Sequence, residues 1–481
     1  MIRFPVVPKD LRNPAGGEWH YLDLVELASG IRTGDISPVA VTQAQLERIA
    51  ALDGALHSYA LVMADSAMAQ ARLAEAEISA GHYRGPLHGV PLAVKDLFWT
   101  QGVPTAGGMA VHKDYRPTED ATVVRRLKEA GAVLLGKLQM TEGAYSDHHP
   151  SIIPPVNPWG AQYWPGVSSS GPGVATAAGM CFGALGSDTG GSIRWPCAAT
   201  GLTGLKPTWG RVSRHGMFAL APSLDHVGPM TRCAADAAVI MAAIAGPDPS
   251  DPSSRVDPVC DYVADARLGV KGVRIGMDVA WNRDDVDPAT QSVLSETVEV
   301  FRRLGAEIVQ LRFPDVTEAV ADWTPQCAAE AAVVHEATYL AHKQDYGPIL
   351  SSVVEAGRAL SESEYQAIQQ RRNEFRRRVA RLFSGVELLL TPVQPFPPLT
   401  LDAVRILGEQ PDLIAQLQRF TCPFDMTGSP TITLPGGVSQ QGLPIAFQLV
   451  AADLGESMLL RAGVAFQGAT SWHRRHPGGL T

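Results

Sequence analysis

The feature that most constrains this chain is a long stretch without charged side chains that is rich in glycine and serine. Residues 150–187 contain no Asp, Glu, Lys or Arg. A flexible linker could have this composition, but Gly166–Gly173 leads directly into an Ala-rich helical pattern over Val174–Met180 and then into Phe182–Gly186. Buried backbone must be hydrogen-bonded within the protein. The segment is therefore predicted to lie in the core of the fold.

Helical and strand patterns alternate on both sides of this segment. Ser37 and Pro38 predict the start of a helix that runs to about residue 53, because serine caps helices and proline suits the first helical position. The apolar run Val90–Val94 predicts a buried strand that ends at Lys95. The other predicted elements are helices over 62–80, 121–130 (capped by Asp120), 286–306 and 359–384, and strands over 132–135, 386–390 and 431–434. This alternation predicts an α/β fold.

Composition and charge exclude several classes of protein. The chain has 45% hydrophobic and 19% charged residues, which is typical of a globular protein, and no linker divides it, so residues 1–481 are expected to form one compact domain. A formal net charge of -9 argues against nucleic-acid binding. The sequence contains no steadily apolar run of the length that a membrane helix needs, so no membrane segment is predicted. The first ten residues lack a secretion signal, and six dispersed cysteines fit a reducing compartment, so a cytoplasmic location is expected.

Two glycines immediately before Ser192 mark the first candidate for a chemical site. Gly190 and Gly191 allow successive backbone N–H groups to converge near a serine hydroxyl, as an oxyanion hole requires. An isolated Gly-Gly-Ser is more often an ordinary tight turn. Ser192 therefore needs support from other motifs before it can be treated as a nucleophile.

The motifs around Ser192 together resemble the signature region of the amidase signature family. The family pattern is P-G-G-S-S-G-G-S, then G-x-D-T-G-G-S-I-R-x-P, then G-L-K-P-T-x-G-R-V-S. The similar segments are Pro165–Gly173, Gly186–Pro196 and Gly204–Ser213, with further similarity at Gly85–Asp96, Phe424–Pro430 and Gly442–Pro444. Similarity is weakest over residues 220–380, which are expected to form a variable, substrate-facing portion. The resemblance implies a large mixed central β-sheet covered by helices on both faces.

The resemblance also implies a serine hydrolase whose groups are carried over by position. Ser192 is the implied nucleophile, and Lys95 of the V-K-D motif is the implied base. Among three adjacent serines, the family spacing of 24 residues to the nucleophile selects Ser168 as the bridging serine, joined through a cis peptide. The implied oxyanion donors are the N–H groups of Thr189, Gly190, Gly191 and Ser192. The implied supporting residues are Ser169, Asp188 and Arg194.

Elementary chemistry agrees with a lysine base. A lysine accepts a proton only when it is neutral, and burial at the end of an apolar strand lowers its pKa. Taken alone, Lys95 beside Asp96 would indicate a surface ion pair. Asp188 and Arg194 are expected to hold the loop of the nucleophile, with a substrate carboxylate as the alternative partner of Arg194. Departures from the family pattern at 167, 170 and 172 are expected to change the pocket wall.

Aromatic residues near these motifs predict an apolar pocket. They are Tyr145, Trp164, Trp195, Trp323 and Phe396, and for each a position in the core or in solvent is an equal alternative. An apolar pocket favours aryl or alkyl amides, and anilides and carbamates are expected among the substrates. Segments 141–145 and 168–171 are also similar to the nylon-oligomer cyclic dimer hydrolase branch of the family.

Two other functions remain open. The same fold serves as the amidase subunit of a tRNA-dependent amidotransferase, which releases ammonia from glutamine beside a tRNA-binding partner. A non-catalytic binding protein is the third hypothesis. No cofactor is expected, and no metal, because the adjacent His148 and His149 point apart and lack further ligands. The expected partner is a small amide-type substrate, and the expected state is a monomer or homodimer.

Overall fold

An eleven-stranded β-sheet forms the centre of the protein, for which a computed structural model describes residues 18–480. The strands are β1 (Tyr59–Val62), β2 (Pro91–Lys95), β3 (Val133–Leu138), β4 (Ala184–Asp188), β5 (Thr203–Lys206), β6 (His226–Thr231), β7 (Arg274–Met277), β8 (Glu307–Gln310), β9 (Leu388–Pro392), β10 (Thr431–Val438) and β11 (Pro444–Ala451). Their order in the sheet is β1-β3-β2-β4-β6-β5-β10-β11-β9-β7-β8.

The sheet is mixed, as the resemblance implies. Strand β2 pairs in parallel with both β3 and β4, and β7 pairs in parallel with β8 and β9, whereas the other pairs are antiparallel. In the pairing of β2 with β4, Val94 lies opposite Leu185. Because parallel neighbours end at the same edge of a sheet, Lys95 and Asp188 at the ends of β2 and β4 lie on one side.

Seventeen α-helices surround the sheet within residues 18–480. They are α1 (Leu24–Thr33), α2 (Pro38–Leu56), α3 (Ala64–Ser79), α4 (Thr122–Glu129), α5 (Ser170–Ala177), α6 (Arg194–Thr200), α7 (Ala234–Ile244), α8 (Tyr262–Asp265), α9 (Pro288–Arg303), α10 (Thr317–Val334), α11 (Glu336–Tyr339), α12 (Pro348–Ala359), α13 (Glu362–Leu382), α14 (Leu401–Arg405), α15 (Pro411–Gln418), α16 (Cys422–Thr427) and α17 (Glu456–Ala469). None of them combines the length and apolar character needed to cross a membrane.

Both faces of the sheet are buried, which β2 illustrates. Leu92 and Val94 belong to a hydrophobic cluster that includes Ile240 of α7. Ala93, which points to the opposite face, belongs to a separate cluster with Val174 of α5. Strands that are covered on both faces are apolar throughout rather than alternating, and this explains why Val90–Val94 was recognisable as one apolar run.

Most predicted elements are confirmed, and the exceptions have identifiable causes. Ser37 caps α2 by accepting a hydrogen bond from the N–H of Ala40 at 3.0 Å. Asp120, however, does not cap α4, because its carboxylate accepts from the N–H of Gln101 and from Lys128, each at 2.8 Å. The helix predicted over 174–180 is α5 and begins at Ser170, inside the Gly/Ser-rich stretch. The first ten residues lie outside the described residues.

Candidate active site

Lys95 is held at the end of β2 by three serine hydroxyls. Its Nζ donates to Oγ of Ser168 at 2.6 Å, to Oγ of Ser169 at 2.9 Å and to Oγ of Ser187 at 2.9 Å. All four side chains are buried. The alternative of a solvated pair with Asp96 is excluded, because Asp96 instead lies 3.2 Å from the buried Lys137.

Burial makes Lys95 an unusually weak base. Removal from water lowers its pKa to about 7, although the charges of Asp188 and Asp225 favour the protonated form. A substantial fraction of the side chain is therefore neutral at neutral pH. A neutral amine surrounded by hydroxyl groups can accept a proton from one of them.

The serine segment beside Lys95 is fixed by its backbone. The peptide bond between Val167 and Ser168 is cis, as the resemblance implies. The N–H of Ser169 donates to the carbonyl oxygen of Ser192 at 3.3 Å, which joins this segment to the loop of the implied nucleophile. At Gly171 a Cβ atom would lie 2.4 Å from the carbonyl oxygen of Gln139, so only glycine fits there.

The loop of residues 189–192 has all four of its carbonyl groups engaged by hydrogen-bond donors. Trp323 Nε1 donates to Thr189 O at 2.8 Å and Cys422 Sγ lies 3.5 Å from Gly190 O. The N–H groups of Trp195 and Ser169 donate to the carbonyl oxygens of residues 191 and 192, at 2.7 and 3.3 Å. Because these carbonyls are held, the loop has a defined orientation.

The N–H groups of this loop differ from the expectation at one position. The N–H of Gly191 donates to Oδ1 of Asp188 at 2.8 Å, and Gly191 does not line the cavity, whereas Thr189, Gly190 and Ser192 do. The prediction of four oxyanion donors is therefore wrong for Gly191. The direction of an N–H depends on the folded path of the loop, which the motif alone does not specify.

Arg194 lies beneath the loop rather than in the cavity. Its guanidinium donates to both carboxylate oxygens of Asp188, at 2.8 and 3.0 Å, and to the carboxylate of Asp425, and all three side chains are buried. Burial alone would raise the pKa of Asp188, but the charge of Arg194 holds it well below its usual range. Burial raises the pKa of Asp425. The buried contacts of Arg194 with Asp188 and Asp425 thus anchor the loop from below.

Ser192 opens onto an aromatic cavity of roughly 310 Å³. Four of the five predicted pocket residues line it, namely Tyr145, Trp164, Trp195 and Trp323. The fifth prediction is wrong, because Phe396 packs behind the wall, in the apolar cluster that contains Trp164 and Trp195. The cavity is therefore bounded by large apolar rings on several sides.

Sequence reasoning missed Ser187 and a whole section of the cavity wall. Ser187 directly precedes Asp188 at the end of β4, and its place beside Lys95 follows only from the parallel pairing of β2 and β4. The missed wall comes from α14, α15 and the turn between them and comprises Val404, Arg405, Leu407, Gly408, Ile414, Leu417 and Gln418. From residues 220–380, the cavity is lined by Leu220, Trp323 and Ile349.

The described residues contain one group that could hold a metal ion, and it lies outside this cavity. Ligand atoms of Asp23, Cys233 and Asp236 lie within 4.8 Å of one another. Asp23 also pairs with Arg474 at 3.0 Å, and Asp236 accepts from the N–H of Val25 at 3.1 Å. These contacts are those expected of groups that fix the start of α1.

Most of the sequence matches a known family. Residues 40–460 match the family described as Amidase. The chain belongs to the amidase signature family. The chain is accordingly an enzyme that acts on carbon–nitrogen bonds other than peptide bonds.

Two sequence relatives cover nearly all of the chain. AmiD of Mycobacterium tuberculosis, a protein provisionally named as an amidase, is 48% identical over 457 residues, which span 95% of this chain and 96% of the relative. The glutamyl-tRNA(Gln) amidotransferase subunit from Geobacter sp. strain M21 is 36% identical over 478 residues, which span 94% of this chain and 98% of the relative.

Solved structures in the amidase signature family show the same fold. A 6-aminohexanoate cyclic dimer hydrolase complexed with substrate has a TM-score of 0.88 at 25% identity and covers 96% of this chain and 100% of its own. A bacterial aryl acylamidase of the family has a TM-score of 0.85 at 26% identity and covers 96% of this chain and 99% of its own.

Proposed function

We propose that the protein hydrolyses small aryl or alkyl amides, anilides and carbamates among them, through an acyl-enzyme formed on Ser192. The observation that carries the proposal is the buried Lys95, whose pKa is lowered to about 7, in contact with Ser168 at 2.6 Å. In this proposal Lys95 is the proton acceptor, Ser168 the bridge and Ser192 the nucleophile. A serine hydroxyl attacks a carbonyl only when a neighbouring base removes its proton.

The proposed reaction begins with neutral Lys95. Ser168 gives its proton to Nζ and receives the proton of Ser192, whose oxygen attacks the carbonyl carbon of the substrate. The resulting oxyanion is stabilised by N–H groups of Thr189, Gly190 and Ser192, which line the cavity. The proton then returns along the same path to the leaving nitrogen, and the C–N bond breaks. Water then attacks the carbonyl carbon of the acyl group on Ser192, with its proton passing through Ser168 to Lys95, and the proton returns to Ser192 as the acid leaves.

The proposed substrate class follows from the cavity. Its wall is dominated by aromatic and aliphatic side chains, and the indole rings of Trp164 and Trp195 lie 6.2 Å apart between centroids. Such a wall favours acyl or amine groups with large apolar surfaces. The similarity to an aryl acylamidase supports aryl amides as substrates. Carbamates have the same carbonyl and leaving nitrogen, so the same groups can cleave them.

A role in a tRNA-dependent amidotransferase is the alternative, and the similarity to the Geobacter sp. protein favours it. A glutamine-specific site needs polar and charged groups that bind the amino and carboxylate groups of the amino acid. The wall offers mainly apolar surface, and its two charged residues are Asp147 and Arg405. The guanidinium of Arg405 is already paired with Asp402, which leaves the carboxylate of glutamine without a ready cation among the described wall residues. We therefore favour the independent hydrolase, with cytoplasmic substrates.

The test combines labelling with a substrate panel. A fluorophosphonate probe is expected to modify Ser192 in the wild type and nothing in Ser192→Ala, while Ser146→Ala serves as the matched control because Ser146 lines the same cavity. The panel contains p-nitroanilides, primary amides, aryl carbamates and glutamine. Labelling at a serine other than Ser192 would contradict the mechanism, and turnover of glutamine alone would favour the role in an amidotransferase.

A further inference from the structure

A second cavity adjoins the cavity of Ser192. It has a volume of roughly 650 Å³ and shares six wall residues with the first. The shared residues are Ser146, Asp147, Trp164, Val167, Ile349 and Val404. A substrate that extends from Ser192 into the second cavity must pass this shared wall.

Asp147 is the one ionisable residue of the shared wall. Within residues 18–480 its carboxylate makes no hydrogen bond or ion pair. The Asp147 side chain is exposed at the junction, where partial removal from water raises the pKa of its carboxyl, and no cation of residues 18–480 offsets the effect. Its backbone is nevertheless fixed, because its carbonyl oxygen accepts the N–H of Glu142 at 2.8 Å. The carboxylate thus lies at the junction without a partner among the described residues.

The arginine, the glutamate and the two histidines of the two cavities already have partners. Arg405 donates to Asp402 on its own helix, α14. Glu142 accepts the N–H of Gly347 at 2.9 Å. His148 bonds to Ser170 Oγ at 3.1 Å, and His149 bonds to Ser151 Oγ at 2.7 Å. The carboxylate of Asp147 is therefore the available charge at the junction.

We propose that Asp147 determines specificity by binding an ammonium group that the substrate carries beyond its scissile amide. This inference rests on the proposed amidase function and names a class of substrate for the same cavity. The apolar walls would contact the methylene chain between the two groups, and the carboxylate of Asp147 would accept the N–H bonds of the ammonium. Substrates of this class are amides of ω-amino acids or of diamines.

The experiment measures binding separately from turnover. In the Ser192→Ala background, calorimetry compares p-nitroanilides of ω-amino acids of increasing chain length with methyl-terminated analogues of equal length. We expect one chain length for which the ammonium compound binds at least about fivefold tighter, a preference that is lost in Ser192→Ala/Asp147→Asn. The exposed Asp65 of α3 lines neither cavity, so Ser192→Ala/Asp65→Asn, with the same change of charge, is expected to keep the preference.

Turnover supplies the second readout. Asp147→Asn in the otherwise wild-type enzyme is expected to raise KM for the ammonium substrates at least about fivefold more than KM for the methyl-terminated anilides, whereas Asp65→Asn is expected to change neither. Equal binding of both series, or an equal loss for both in Asp147→Asn, would overturn the inference while Ser192-dependent hydrolysis upheld the proposed function. Hydrolysis that persists in Ser192→Ala would instead refute the proposed function, and the calorimetric preference would still decide the role of Asp147.

Discussion

Replacement of Lys95 by methionine tests the neutral lysine through the stability of the fold. The pKa of Lys95 falls from 10.5 to about 7 on folding, so between these pH values the unfolded chain binds more protons than the folded one. Stability contributed by this group therefore rises with pH across that window. The cost of keeping Lys95 deprotonated is about 4 kcal/mol at pH 7 and about 1 kcal/mol at pH 10.

The variant also loses three hydrogen bonds to serine hydroxyls, each worth about 1 kcal/mol. At pH 7 the two effects nearly cancel, so Lys95→Met is expected to unfold with about the free energy of the wild type. At pH 10 the variant is expected to be less stable by roughly 2 kcal/mol. At this pH it avoids a deprotonation cost of only about 1 kcal/mol, while the loss of the hydrogen bonds is unchanged.

The measurement is urea unfolding followed by tryptophan fluorescence at pH 7, 8, 9 and 10. The dependence of the unfolding free energy on urea concentration must be the same for both proteins, so that only stability differs between them. The exposed Lys113 supplies the control, because Lys113→Met is expected to show a difference that does not vary with pH. The other buried lysines contribute equally to the unfolding free energy of the wild type and of Lys95→Met, so their pH dependence cancels in the difference. A Lys95→Met difference that stays constant from pH 7 to pH 10 would refute a neutral Lys95 and, with it, the proposed proton acceptor.

Three further predictions concern activity and the loop of the nucleophile. First, kcat/KM is expected to rise with pH to a plateau with its midpoint near pH 7, where Lys95 loses its proton, and Lys95→Arg is expected to be inactive up to pH 10, because arginine stays charged; a profile that falls over this range would contradict the role of Lys95. Second, Arg194→Met leaves Asp188 buried without its cation and is expected to destabilise the fold by about 3–5 kcal/mol, measured by urea unfolding; an unchanged midpoint would exclude the anchoring role. Third, Gly190→Ala would place a Cβ 2.4 Å from the ring of Trp323 and so displace the N–H groups of the loop. We therefore expect kcat to fall about 100-fold, and an unchanged kcat would contradict the proposed oxyanion donors.

The candidate site divides into a part that local sequence encodes and a part that it does not. Lys95 was predictable because an apolar run marks its strand, and Ser192 because two glycines precede it within a family motif. Ser187 was not, since its contact with Lys95 depends on which strands are neighbours in the sheet. The failed donor prediction at Gly191 has a similar origin, because the path of the loop is set by Asp188 and by tertiary donors.

The cavity wall was the least predictable part. The residues of α14 and α15 lie outside every motif, and their short helices show no pattern that marks a pocket. Phe396 illustrates the opposite error, since an aromatic residue near the site packs behind the wall instead of lining it. Residue type indicates a preference for apolar surroundings, but the core and a pocket satisfy that preference equally.

The placement of α14 and α15 has a consequence for how this enzyme can diversify. The groups around Lys95 come from strand ends and buried loops, whereas no residue of α14 and one residue of α15, Leu417, is buried. Mutations in these two helices can reshape the cavity without disturbing the hydrogen bonds of the serine hydroxyls. Selection can therefore alter the range of amides accepted while the chemistry is inherited intact, and a mutant library confined to residues 401–418 samples substrate range at little risk to folding.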